Sequence, residues 1–107
     1  MIKACFYLKD GKYFGFQVSG HAGYAEAGKD IVCSAVSALT INTVNALEEL
    51  TSDSVIVETE EAGDIKAKIL GNISPESETL IKALRIGLCN IYEEYEDDYI
   101  KVFFKEV

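Results

Sequence analysis

The run Ile2-Lys3-Ala4-Cys5-Phe6-Tyr7-Leu8-Lys9-Asp10-Gly11-Lys12 decides the fold, because it holds a strand, a turn and the start of a second strand. Ile2, Ala4, Phe6 and Leu8 share one face while Lys3, Cys5 and Tyr7 share the other, the period of a half-buried strand. Lys9-Asp10-Gly11-Lys12 then turns the chain. An Asp-Gly pair between alternating runs predicts a hairpin, since glycine takes positive φ at little cost. It delivers a second strand over 13–19, with Phe14, Phe16 and Val18 aligned.

Reading outward from this hairpin, residues 20–29 form a loop punctuated by Gly20, Gly23 and Gly28. From Asp30 to about Leu50, the positions Val32, Val36, Leu39, Thr43, Ala46 and Leu50 recur at steps of four and three. That stripe predicts a central, largely buried helix. Two further alternating runs, 54–60 and 64–70, join through Ala62-Gly63-Asp64 as a second hairpin. Ser74-Pro75 offers an N-cap and a proline at the first helical position. Leu80, Ile81, Leu84, Leu88, Ile91, Tyr92 and Tyr95 follow on one face of a helix reaching about Asp97. Ile100, Val102 and Phe104 alternate with Lys101, Phe103 and Lys105 in a last strand. The order is ββαββαβ, an α+β class with a largely antiparallel sheet and two packed helices. Strand order does not follow from the sequence.

The chain has 107 residues, 49% of them hydrophobic and 26% charged, which fits one compact domain over 1–107 and argues against disorder. Eighteen acidic and ten basic residues give a net charge of −8. That balance disfavours sequence-independent nucleic-acid binding and favours a basic partner. Three scattered cysteines, at 5, 33 and 89, fit neither a disulfide framework nor a zinc site, and a reducing cytosol is the expected compartment. No secretory signal pattern opens the chain, so export is not expected. The longest uncharged run, Ile31 to Leu47, reads as too short and too polar to span a membrane.

One region gathers reactive side chains: His21, the only histidine, then Asp30, then Cys33. With Asp30 as N-cap, Cys33 would occupy the first helical turn, where free N–H groups and the helix dipole favour a thiolate. Such settings, or a neighbouring imidazolium, lower a thiol below its usual value of about 8.5. A glycine-bearing loop lets His21 fold back on Cys33, which makes the pair a candidate nucleophile and base. The competing readings are a cysteine packed as a small hydrophobe and a surface histidine. Asp30 either caps the helix or orients His21, and Glu26 is a weaker candidate for the orienting role. Cys5 and Cys89 read as packing residues. Gly20-x-x-Gly23 lacks the lysine and hydroxyl of a phosphate loop, and no ligand spacing calls for a metal or cofactor. The acidic run Glu93-Glu94-Tyr95-Glu96-Asp97-Asp98 reads as a solvated face or as a surface steering a basic substrate.

Gly20-His21-Ala22 and, eight residues on, Asp30-Ile31-Val32-Cys33-Ser34-Ala35-Val36-Ser37-Ala38-Leu39 resemble the signature of the ribosomal-processing cysteine protease family, Prp. The resemblance implies Cys33 as nucleophile and His21 as general base and proton donor, without metal or cofactor. It further implies a cytosolic thiol protease that removes an N-terminal extension from a basic large-subunit ribosomal protein, the one numbered twenty-seven, during bacterial ribosome assembly. A homodimer and a mobile loop after the histidine are implied in the same way. Two other readings stay open on the residues: a non-catalytic acidic module that holds a basic ribosomal protein, and a redox-sensing thiol.

Overall fold

A computed structural model describes residues 1–20, 27–60, 64–95 and 99–107. The elements follow the expected order: β1 (Ile2–Lys9), β2 (Lys12–Ser19), α1 (Ala27–Leu50), β3 (Ser54–Thr59), β4 (Ile65–Leu70), α2 (Pro75–Tyr95) and β5 (Ile100–Glu106). The five strands form one sheet ordered β3-β4-β2-β1-β5. Three pairings are antiparallel, and β1 with β5 is parallel. Both helices are crossover connections, α1 from β2 to β3 and α2 from β4 to β5, and they also pack on each other. At the first turn Asp10 and Gly11 take φ of 52° and 78°, as the Asp-Gly pair predicts. The turn of the second hairpin, 61–63, lies outside the described residues.

The core lies between one face of the sheet and the helices. Ile2, Ala4, Phe6, Phe16, Val18 and Ile100 supply it from the strands, and Val32, Val36, Leu47, Ile81, Leu84 and Leu88 from the helices. Phe6 and Phe16 are fully buried. Each contributes on the order of 2–3 kcal/mol through burial.

Phe14 does not align with Phe16 and Val18. Tyr7 pairs with Gly15 but Leu8 pairs with Tyr13, so the strand carries one extra residue at Phe14. This bulge turns Tyr13 towards the core, where its ring meets Phe6 at 6.2 Å, and leaves Phe14 against Tyr7 on the opposite face. Tyr13 N–H donates to Glu78 Oε2 of α2 at 3.0 Å.

The expectations for α1 need three corrections. The helix starts at Ala27, so Asp30 is its fourth residue and not its N-cap. Its buried stripe runs through Val32, Val36, Thr40, Thr43, Val44 and Leu47, whereas Leu39 and Leu50 are exposed. Thr40 and Thr43 belong to that stripe because their hydroxyls donate to the carbonyls of Val36 and Leu39, at 2.7 and 2.8 Å. The helix is therefore buried on one side only, with Ile31 and Ile41 exposed on the other. By length and composition Ile31–Leu50 is apolar enough to cross a bilayer, contrary to the reading of the shorter run. Packing on the sheet and on α2 accounts for its buried stripe.

At the start of α2, Ser74 Oγ accepts the N–H of Ser77 at 3.1 Å, the expected N-cap. Ser74 N–H and Oγ both donate to Asp53 Oδ2, at 3.0 and 2.8 Å. The Ser77 hydroxyl, close by but short of hydrogen-bond geometry, and these two Ser74 donors hold the Asp53 carboxyl below the usual range. A depressed carboxyl stabilises the fold above its unfolded value of about 3.9, and the contribution is lost as pH falls through the lower folded value. Replacing Ser74 by Ala should therefore cost about 1 kcal/mol at pH 7 in urea unfolding. The stability gap between the parent and Asp53→Asn should shrink between pH 6 and pH 3.

Candidate functional site

At one end of the sheet β1, β4 and β5 begin while β2 and β3 end. Lys3 pairs with Ser19, Val18 with Ile65, Ile2 with Ile100 and Thr59 with Ile65. The chain leaves this end through Gly20 and enters α1 at Ala27.

Gly20 is fixed from three directions. Its φ is +82°, in the left-handed region that favours glycine, and a Cβ built there would overlap the carbonyl oxygen of Met1. Its N–H donates to Asp64 Oδ1 at 3.1 Å. Next to it, Ile2 N–H donates to the Tyr99 carbonyl at 2.9 Å, which ties β5 to the same corner. The residue after Gly20 is His21.

Cys33 is the seventh residue of α1. Its thiol is free and half-buried, packed against the core cluster between the buried Val32 and Val36. It thus combines the hydrophobic packing of the competing reading with partial exposure. The dipole effect fades within the first turn, so the expectation that Cys33 sits directly on the opening amides is corrected by the helix start at Ala27. The geometry keeps a link to them, because helical Cα–Cβ bonds tilt towards the N-terminus and lean a side chain over the preceding turn. The N–H groups of that first turn have no intrahelical acceptor.

His21 and Glu26 lie outside the described residues, as does the side chain of Asp30. The other two thiols are placed elsewhere. Cys5 is half-buried on the sheet face away from the helices, where burial pushes its thiol up against the opposing pull of Lys105. Cys89, on α2, lines a groove with Tyr92, Val102 and Phe103. Among the described residues no group of three His, Cys, Asp or Glu side chains is placed to hold a metal ion. Of the acidic run, Glu93 and Glu94 are exposed at the end of α2, and 96–98 lie outside the described residues.

Sequence reasoning missed Asp64, which it read only as part of a turn. Its carboxylate reaches Gly20 across 44 positions, and no local pattern announces so distant a partner.

A profile of the family described as cysteine protease Prp matches residues 1–101. The ribosomal processing cysteine protease Prp of Bacillus subtilis is 30% identical over 88 residues, covering 78% of this chain and 79% of the relative. Its namesake from Staphylococcus aureus is 29% identical over 90 residues, covering 83% and 85%. Among solved structures, that of SMU.848 from Streptococcus mutans matches with a TM-score of 0.89 at 30% identity, covering 100% of this chain and 99% of that one. The S. aureus protease with a substrate peptide gives 0.89 at 28% identity, and with a covalently linked product peptide 0.86 at 29%. Both cover 98% of this chain and 100% of theirs.

The corner at Gly20 yields a direct test. Gly20→Ala should destabilise the fold by about 2 kcal/mol or more, since it adds left-handed strain to a clash with backbone. Urea midpoints measure the loss, and a midpoint within error of the parent would show that the corner is not constrained.

Proposed function

Because the chain belongs to the cysteine protease Prp family, we propose that Cys33 is its nucleophile and His21 the base that takes the thiol proton. The thiolate attacks a peptide carbonyl, and N–H groups of the first turn of α1 stabilise the oxyanion. His21 then protonates the departing amine, leaving a thioester on Cys33. Water, deprotonated by His21, hydrolyses the thioester and regenerates the thiol. The observation that carries this reading is the placement of Cys33: a free, half-buried thiol one turn from the amides that open α1, shortly after the segment holding the only histidine. Asp30, the fourth residue of α1, is not its cap, and the role proposed for it is to orient His21.

The proposed substrate is the basic large-subunit ribosomal protein numbered twenty-seven, cut after its N-terminal extension in the cytosol. Exposed carboxylates such as Glu93 and Glu94 favour encounter with a basic chain. A homodimer is proposed through the outer side of α1, where Ile31, Ser34, Ala38, Ile41 and Asn45 are exposed and uncharged. The non-catalytic binding module predicts association without a product.

Incubation with the extended ribosomal protein, followed by intact-mass analysis, tests the assignment. One cut at the end of the extension is expected. Cys33→Ala and His21→Ala should each slow it by at least about a thousandfold while leaving the urea midpoint of Cys33→Ala near that of the parent. Cleavage by Cys33→Ala at the parental rate would refute the assignment. For the dimer, Ile41→Glu should shift the sedimentation coefficient to that of a monomer.

A further inference from the structure

We propose that the face of the sheet opposite the helices binds single-stranded RNA. Strand alternation puts Lys3, Lys66, Lys68, Lys101 and Lys105 on that face, five of the ten basic residues of the chain. Three carboxylates, Glu58, Glu60 and Asp64, gather beside Lys66 at one end of the face, and no other described strand carboxylate joins the lysines by alternation. The helices carry exposed carboxylates instead, including Glu48, Glu49, Glu76, Glu93 and Glu94. The net charge of −8 therefore averages over two unlike surfaces. The shortest extent of the molecule is 21 Å, more than twice the screening length of about 8 Å at physiological salt, so the basic face acts locally.

Folding alone does not account for this grouping. Lys3 lies beside Lys101 in the parallel ladder, and like charges on neighbouring strands destabilise a sheet. The cations also surround aromatic surface. Lys66 and Lys68 hold their ammonium groups 5.7 and 5.4 Å from the Tyr7 ring centre, Phe14 lies against Tyr7, and Phe103 between Lys101 and Lys105 is 45% exposed. Lysines along a strand of this face stand about 7 Å apart, and an exposed ring among them offers a base a surface to stack on. An acidic polypeptide would use the lysines but not the ring, so the combination favours RNA.

The test uses the full chain and a 5′-fluorescein-labelled twelve-nucleotide oligouridylate, followed by anisotropy. Binding should be saturable at 50 mM salt and weaken about a hundredfold by 200 mM, the slope for five phosphate contacts on a single strand. Lys101→Glu should weaken binding at least fivefold and lower the salt slope, while melting no lower than the parent because it faces Lys3 with an opposite charge. Phe103→Ala should also weaken binding about fivefold or more, with the salt slope unchanged. Should Lys101→Glu fail to fold, Lys101→Ala carries the same test. Lack of saturable binding at 50 mM salt, or affinity unaffected by both variants, would overturn the proposal. So would displacement of the RNA by polyglutamate at equal charge, which would assign the face to an acidic polypeptide.

Discussion

The corner at Gly20 constrains the rest of the structure, because three other segments of the chain converge on it. The carbonyl of Met1 leaves no room for a side chain, Asp64 takes the Gly20 N–H, and Tyr99 binds Ile2 beside it. These contacts fix where β2 ends relative to β1, β4 and β5. They also fix where the histidine segment starts, so the same corner serves the sheet and the proposed chemistry. A six-residue segment then leads to α1, whose seventh residue is the half-buried cysteine.

Moving the helix start from Asp30 to Ala27 changes the chemical argument more than the fold. A thiol in the first turn would draw on the opening amides directly. From the second turn it leans towards them, and in the proposed reaction its activation rests chiefly on the His21 imidazole. In the same proposal the opening amides receive the oxyanion, without the competition that an Asp30 cap would create.

Much of the fold was legible in the sequence. Period-two runs located all five strands, the Asp-Gly pair fixed the first turn, and Ser74-Pro75 marked the start of α2. Three features escaped for physical reasons. The bulge at Phe14 leaves no mark in an alternating run, and it reversed the faces of Tyr13 and Phe14. In α1 the buried threonines satisfy their hydroxyls within the helix, so the true stripe looks more polar than the one read from leucines. The contact between Asp64 and Gly20 joins positions too distant for any local signal. At the candidate site, the sequence placed Cys33 near the start of α1, as the structure does, but it read Asp30 as the N-cap of a helix that has already begun at Ala27.

The central claim is that Cys33 is set apart from Cys5 and Cys89 by the imidazole of His21. The most direct measurement is the rate of iodoacetamide labelling of each thiol at pH 7, read by peptide mass spectrometry in the parent and in His21→Ala. The account predicts that Cys33 reacts fastest in the parent and loses that advantage in the variant. Equal rates for Cys33 in the two proteins would contradict it.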